Sequence, residues 1–165
     1  MAINAYLKLD GIEGECTAAG HEKEIEIMSW NHGFTQPTST TRSSQGSAVE
    51  QAQHSNFTFT KYIDKATAPI LKRCWTGEQI KSAIVTCYRA DGSAENKPVE
   101  YLKVEMTGVI ISNYSVSGGA GDVPVENVSL DYGIVKYTYK PQKEADGKPG
   151  DQIPIQHDLT TRKVS

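Results

Sequence analysis

The sequence predicts a mainly β, single-domain protein: a small β-barrel of two curved, mostly antiparallel sheets with one short α-helix. Three observations support this class. Most of the chain consists of segments in which apolar and polar residues alternate, the period of a strand with one buried face. Helical periodicity is confined to about residues 67 to 76. Two segments are long and have a central glycine, which predicts strands that bend from one sheet into another.

Length and composition fit one soluble domain spanning residues 1–165. The 38% hydrophobic content includes no apolar run near the roughly 20 residues of a membrane helix, so no membrane insertion is expected. Net charge is −3 and Lys and Arg are scattered, so nucleic acid is not an expected partner. The amino terminus lacks the basic start and apolar stretch of a signal peptide, which predicts folding in a cytoplasm. Three widely spaced cysteines are interpreted as reduced packing residues: Cys16, Cys74 and Cys87.

The first two strands follow from alternation near the amino terminus. The first has an apolar face made of Ala5, Leu7 and Leu9, and ends at a turn. The second begins near Lys23, and its inward face is predicted to be Ile25, Ile27 and Ser29. The second strand is predicted to end at residues 30 to 33.

The only convincing helix follows directly after a strand in which Phe57 and Phe59 alternate with threonines. Asp64 and Thr67 are both good N-cap residues, and Pro69 suits a first helical turn. Gly77 is the expected stop signal. The helix should place one apolar stripe against a sheet, consisting of Ile70, Leu71, Cys74 and Trp75.

The second half of the chain reads as strands separated by turns. Residues 80 to 88 alternate, and residues 101 to 114 form a long strand with Gly108 at its centre. After a glycine-rich tip at residues 117 to 122, a second long strand is predicted over residues 125 to 140 with Gly133 at its centre. A last short strand covers residues 153 to 159, where Pro154 marks it as an edge or irregular piece.

The segment between Gly33 and His54 is an extended loop rich in Thr, Ser, Gln and Gly, with little periodicity. Structureless connections of this length are uncommon inside compact domains, and they are usually disordered or functional. The loop is therefore either ordered in contact with another molecule or simply disordered, and composition does not choose between the two.

No known catalytic or cofactor-binding motif is complete in this sequence. The segment HEKEI at residues 21 to 25 begins like the zinc-protease motif, but Ile25 stands where the second histidine must be. The glycines near residue 120 belong to a hairpin tip, because Pro124 occupies the last glycine position of a dinucleotide fingerprint. His32, His54 and His157 are isolated in sequence and can meet only through folding. No enzyme activity, cofactor or metal is expected.

Several segments resemble the signature blocks of the haemolysin-coregulated protein (Hcp) family, the tube subunits of bacterial type VI secretion systems. The resemblance spans most of the chain, and the blocks occur in the family's order and spacing. They are YLKLDGIEGECTAAGHEKEIEIMSW, FTFTKYIDKATAPILKRCWTG, YLKVEMTGVIISNYSVSGG and ENVSLDYGIVKYTYKPQ.

This resemblance implies a structural, non-enzymatic subunit that closes into a homo-hexameric ring with a central pore. Rings would stack into a tube, which a contractile sheath drives out of the bacterial cytoplasm behind a VgrG-like spike, with small effectors in the lumen. Such a tube leaves the cell without a signal peptide. The resemblance also gives the extended loop a role in subunit and ring contacts, with Asn31 as a candidate lumen residue. The candidate contact residues are Thr40, Arg42, Ser44 and Gln45.

Two other functions are compatible with the residues alone. A free-standing barrel that binds a small ligand such as a sugar would use the polar loop and the tyrosines Tyr137 and Tyr139. A hydrolase would need Asp and Glu residues brought together by folding. Oligomeric state separates the tube subunit from the free-standing barrel.

Overall fold

The computed structural model describes residues 4–38, 51–90, 97–143 and 148–165. These ranges contain twelve strands and one α-helix, which confirms the mainly β fold class. The elements in chain order are β1 (Asn4–Leu9), β2 (Ile25–Ile27), β3 (Ser29–Asn31), β4 (Phe34–Thr35), β5 (Gln53–His54), β6 (Phe57–Tyr62), α1 (Thr67–Thr76), β7 (Ile80–Ala90), β8 (Pro98–Ser117), β9 (Val125–Asp131), β10 (Ile134–Tyr139), β11 (Ile153–Asp158) and β12 (Lys163–Val164).

The strands form two curved sheets that share β8. The first sheet has the order β12-β11-β10-β8-β7-β1-β2, and the second has the order β3-β6-β9-β8. A separate two-stranded ribbon is formed by β4 and β5. Among the described residues all ladders are antiparallel, and the two sheets stay open at their ends instead of closing into a continuous hydrogen-bonded barrel.

The longest strand, β8, passes from one sheet to the other, as its central glycine predicted. Its first half pairs with β7 and β10, and its second half pairs with β9. Gly108 lies at the crossing with φ of +67°, a left-handed conformation that side chains other than glycine's disfavour. This part of the prediction is confirmed.

The second long strand predicted, residues 125 to 140, is instead two strands. β9 belongs to the second sheet and β10 to the first, and the strand conformation is interrupted between them at Tyr132 and Gly133. The Gly133 N–H donates to the Thr107 carbonyl oxygen at 3.0 Å, so the two crossing points lie side by side. The prediction of a change of direction at this glycine was right, and the prediction of one continuous strand was wrong.

The strand predicted from Lys23 is also divided between the sheets. Ile25 and Ile27 are buried in β2, but Ser29 is exposed in β3, so its predicted inward position was wrong. The physical reason is that β3 pairs with β6 in the second sheet and turns Trp30 inward, where its ring stacks on Phe57 at a centroid distance of 5.4 Å.

The helix has the predicted bounds and stop, but a different N-cap residue and a narrower buried face. The Gly77 N–H donates to the Arg73 carbonyl oxygen at 3.0 Å with φ of +69°. Neither predicted cap residue is the N-cap, which is Ala66. Trp75 is 78% exposed, so its predicted place in the buried stripe was wrong. It lies five residues beyond the buried Ile70, roughly 140° around the helix.

The core lies between the two sheets and under the helix. Its largest fully buried apolar side chains come from six strands and the helix: Leu7, Ile25, Phe57, Phe59, Ile70, Ile80, Met106 and Leu130. Cys16 and Cys87 are buried, Cys74 is half-buried, and all three are free thiols. Burial raises the pKa of the Cys87 thiol, so it stays protonated and packs as a small apolar group.

Candidate functional site

The outer face of the second sheet consists mostly of hydroxyl and amide side chains. Strand pairing places these residues on one side of the sheet, and they bond to each other: Thr58 Oγ1 and Ser129 Oγ are 2.9 Å apart, and Thr60 Oγ1 donates to Asn127 Oδ1 at 2.7 Å. Asp131, at the end of β9, adds the one charge on this face within the described residues. We call this surface the polar face: Ser29, Asn31, Thr58, Thr60, Asn113, Ser115, Asn127 and Ser129.

The predicted site residues have different outcomes. Asn31 is exposed on the polar face, opposite Thr58 of β6. The loop residues predicted to contact other subunits lie outside the described ranges: Thr40, Arg42, Ser44 and Gln45. Their role therefore stays a prediction.

A buried charged network lies on the inner side of the same sheet. Lys61 and Glu126 face each other across β6 and β9, both are fully buried, and the Lys61 ammonium forms an ion pair with the Glu126 carboxylate. Lys61 Nζ also donates to Asp64 Oδ1 at 2.8 Å, and the Tyr114 hydroxyl donates to Glu126 Oε1 at 2.5 Å. Burial and this carboxylate raise the pKa of Tyr114. We call these four residues the lysine network.

An apolar face lies at the far end of the first sheet, beside the β4–β5 ribbon. Phe34 of the ribbon is 52% exposed, and Ile155 and Val164 are similarly exposed on β11 and β12. They border a surface cavity of about 420 Å³ that is also lined by Ala52, His54, Val135, Tyr137, Gln156 and His157. Exposed apolar side chains grouped in this way are typical of a contact surface for another polypeptide.

Three histidines meet at the edge of this cavity. His32 Nδ1 lies 2.5 Å from the Tyr137 hydroxyl, and His32 Nε2 lies 2.6 Å from the Tyr132 hydroxyl. His54 Nδ1 lies 2.8 Å from the same Tyr132 hydroxyl, and His54 Nε2 lies 2.7 Å from His157 Nδ1. The five side chains therefore form one continuous hydrogen-bonded chain, which we call the histidine chain.

Burial keeps His32, His54 and the two tyrosines of the histidine chain neutral. It lowers the pKa of His32 to about 4, with the nearby His54 as a second cause, and it lowers the pKa of His54, with His157 as the second cause. Burial likewise raises the pKa of Tyr132, and raises that of Tyr137 to about 12. At neutral pH His32, His54, Tyr132 and Tyr137 are therefore uncharged, so each contact among these four side chains uses one shared proton.

The prediction from the sequence did not group the residues of the histidine chain, because they come from distant segments. A weak signal was present: His32 and His54 flank the extended loop symmetrically, so closing the loop brings them together. In the part of the chain that the structure describes, no three His, Cys, Asp or Glu side chains are grouped to hold a metal ion. The other histidine, His21, stacks on Tyr6 at 4.2 Å and bonds to Glu24 at 2.8 Å.

No helix among the described residues is long and apolar enough to cross a membrane.

These features define the class of protein: an open two-sheet β-structure with one helix, which presents a polar face on one sheet and an apolar face on the other. The chain matches the family described as "Type VI secretion system effector, Hcp" over residues 6–139. It therefore belongs to the Hcp family of type VI secretion proteins, and the resemblance seen in the sequence is confirmed.

Individual relatives agree with this assignment. The chain is 33% identical over 154 residues to Protein hcp1 of Pseudomonas aeruginosa, covering 93% of each chain. Among solved structures it is similar to Hcp1 from Salmonella typhimurium, with 32% identity, a TM-score of 0.81 and full coverage of both chains. It is also similar to a structure described as a type six secretion system protein, with 27% identity, a TM-score of 0.89 and coverage of 99% and 100%.

Proposed function

We propose that this protein is a structural subunit of the type VI secretion tube, which forms hexameric rings that stack into a tube and are exported with it. The observation that supports this most is the family match over residues 6–139, together with relatives aligned over nearly the whole chain. Assembly of rings, not chemistry on a substrate, is then the function, and we propose no enzymatic role.

The open sheets favour assembly. Because β12 ends the first sheet without a further strand among the described residues, its outer backbone groups are available to pair with another chain. The exposed side chains Phe34, Ile155 and Val164 lie close to the β12 end. A head-to-tail contact between this edge and a different surface of the next copy generates a ring when its rotation closes.

The polar face has the chemistry of a lumen. Hydroxyl and amide groups stay hydrated and make short-lived hydrogen bonds, while charge complementarity, which selects particular partners, is almost absent there. A pore lined in this way holds small effector proteins without selecting strongly among them. We therefore propose that Asn31 faces the lumen and that the rings also act as a carrier for effectors.

The remaining partners belong to the same machine. We propose that Thr40, Arg42, Ser44 and Gln45 contact neighbouring subunits or rings, and that the tube meets a VgrG-like spike at its tip and a contractile sheath outside. The protein would reside in the bacterial cytoplasm before firing and leave through the type VI machine.

The solution mass of the purified protein tests the proposal. Light scattering coupled to size exclusion should give about six times the 18.1 kDa of one chain, and negative-stain images should show rings with open centres. A chain that stays monomeric at high concentration would contradict ring formation.

A matched pair of variants locates the contact surface. Ile155→Asp places a charge in the apolar face and should reduce the ring to monomers, since an unpaired charge in an interface is costly. Val123→Asp changes a similarly exposed residue between β8 and β9 and should leave the ring intact. Equal behaviour of the two variants would remove the apolar face from the interface.

The sugar-binding alternative is not favoured by the cavity. Apart from Gln156 and the ring atoms of two histidines and Tyr137, its lining is apolar, whereas sugar hydroxyls need several hydrogen-bonding partners. Tyr137 is also already bonded to His32.

A further inference from the structure

The β4–β5 ribbon is attached to the first sheet through the histidine chain. His32 lies two residues before the start of β4, and His54 is the last residue of β5, so both arms of the ribbon carry an imidazole at the end nearest the sheets. Their partners come from the sheet side: Tyr132 lies between β9 and β10, Tyr137 lies in β10, and His157 lies in β11.

The two arms of the ribbon are held to each other by bonds that do not titrate. The Ser55 N–H donates to the Gly33 carbonyl oxygen at 2.9 Å, and the Gly33 N–H donates to Ser55 Oγ at 2.9 Å. Phe34 also packs edge-on against His54 at 4.8 Å. The ribbon therefore remains one unit when its attachment to the sheet changes.

Proton counting shows how the attachment responds to acid. In one arrangement of neutral groups, the Tyr137 O–H donates to His32 Nδ1, the His32 Nε2–H donates to Tyr132, the Tyr132 O–H donates to His54 Nδ1, and the His54 Nε2–H donates to His157 Nδ1. Reversing every bond gives an equally complete chain. The histidine chain can therefore hold one extra proton, at His157, if every hydrogen bond reverses its direction.

A second proton cannot be accommodated. When His54 and His157 are both charged, two N–H groups face each other across 2.7 Å. When His32 and His54 are both charged, the buried Tyr132 oxygen must accept from both rings, and two positive charges lie on either side of one hydroxyl. The His54–His157 contact, which joins the ribbon to the sheet, then becomes repulsive, and the ribbon carries two charges beside one hydroxyl of the sheet.

The surroundings offer little to compensate these charges. Asp131 precedes Tyr132 and binds its backbone N–H, and the buried thiol of Cys87 lies near Tyr137. On the β11 and β12 side, Asp158 follows His157, but its carboxylate is bonded to Thr160 and Thr161, and Lys163 lies opposite it.

We propose that the histidine chain is a proton-operated latch, which holds the β4–β5 ribbon on the first sheet at neutral pH and releases it in mild acid through repulsion between its imidazoles. The lowered pKa values of His32 and His54 agree with this direction. Both groups bind protons more weakly when the ribbon is attached than when it is free, so acid favours the free ribbon. The attachment is complete above the ordinary histidine pKa of about 6.5 and weakens as pH falls from there towards about 4.

Hydrogen–deuterium exchange of the intact protein tests the latch. Amides of Phe34, Thr35, Gln53 and His54 are measured at pH 7.5 and pH 5.0, each divided by the rate of an unstructured peptide at the same pH, with residues 83 to 87 of β7 as the internal reference. The ribbon should lose protection on the order of tenfold relative to β7 at the lower pH. Equal protection at both pH values would overturn the latch.

Histidine variants identify the groups responsible. His54→Gln keeps a donor and an acceptor but cannot be charged, so the acid response of the ribbon should fall several-fold. His21→Gln, which lies outside the histidine chain, should respond like the unchanged protein. If His54→Gln fails to fold, His157→Gln at the half-exposed end makes the same comparison. A response that disappears with His21→Gln and persists with the other variants would contradict the assignment.

One consequence rests on the proposed function. The ribbon leads into the loop assigned to subunit and ring contacts, so its release should also weaken ring stacking in mild acid. Exchange measured on unassembled protein reports the latch alone, while sedimentation of rings at pH 7.5 and pH 5.0 reports stacking. A failure of the latch and a failure of the proposed role in stacking would therefore give different results.

Discussion

The lysine network and the histidine chain are both polar groups enclosed by apolar packing, but they differ in charge, depth and what they join. The lysine network holds a full ion pair at zero exposure between two neighbouring strands of one sheet. The histidine chain contains no ion pair, is only partly buried, and joins a two-stranded ribbon to a different sheet.

The difference indicates two uses of buried polarity. A fully buried ion pair is costly to separate, so Lys61 and Glu126 oppose any shift of β6 against β9 that would part them. The histidine chain is stable only while His32 and His54 stay unprotonated, because their pKa values are lowered in the folded protein. It therefore suits an attachment that can change with pH. The first network fixes a register, and the second holds a movable element.

The largest effect is expected from Lys61→Met. The substitution leaves the Glu126 carboxylate buried without its cation, which should lower the free energy of unfolding by about 3–5 kcal/mol. Urea denaturation followed by tryptophan fluorescence measures this, since Trp30 is partly buried and packs against the core.

The double variant Lys61→Met with Glu126→Leu is the control for that prediction. Removing both charges at once should restore most of the lost stability, because the remaining cost is one of packing. A double variant as unstable as Lys61→Met would show that volume, not the unpaired charge, accounts for the loss.

The next largest effect is expected from Tyr132→Phe. Its hydroxyl is the central link of the histidine chain, and removing it leaves one ring nitrogen of each histidine, His32 Nε2 and His54 Nδ1, without a partner, at a cost of about 1–3 kcal/mol in the free energy of unfolding. Tyr137→Phe removes only the terminal link to His32 and should cost less. A larger loss in Tyr137→Phe than in Tyr132→Phe would contradict the order of links.

The pH dependence of stability should distinguish the histidine chain from the lysine network more clearly than any single substitution. Burial lowers the pKa of His32 from 6.5 to about 4, so the unfolded chain binds more protons than the folded one between these values. The contribution of His32 to stability is therefore complete above pH 6.5 and is lost as pH falls towards 4. The double variant Lys61→Met with Glu126→Leu should keep this part of the pH dependence, and His32→Asn should remove it. Urea titrations at pH 7.5, 5.5 and 4.5 compare the three proteins.

Local patterns in the sequence predicted the parts of the fold that depend on neighbouring residues. Gly108 and Gly77 were identified correctly because a left-handed backbone conformation is a property of one position. Trp75 was placed wrongly, because the choice of buried face depends on what the helix meets in space. The strand predicted from Lys23 changes sheet at Met28, where the apolar residues move from the odd positions Ile25 and Ile27 to the even position of Trp30. This break was a signal in the sequence that the prediction of one continuous strand did not use.

The two networks differ in how visible they were. Lys61 follows Phe57 and Phe59 at a spacing of two, so the strand period already placed it on the inner face. Glu126 shares its face with Val128 and Leu130 in the same way, so two opposite charges at inward positions were a readable signal of a buried pair. The histidine chain had no equivalent signal, because its contacts depend on how a ribbon of distant residues folds onto β10 and β11.

The smallest effect is expected on the polar face, where Thr60→Val removes the hydrogen bond to Asn127 Oδ1 at 2.7 Å. This bond has ordinary geometry, and both of its groups can return to water when it is lost. The free energy of unfolding should therefore change by no more than about 0.5 kcal/mol in urea denaturation. A loss as large as that of Tyr132→Phe would mean that the number of bonds, not their burial, decides how much each network contributes. Such a result would also weaken the separation between the register-fixing and the movable network, because both arguments depend on burial making an unpaired group costly.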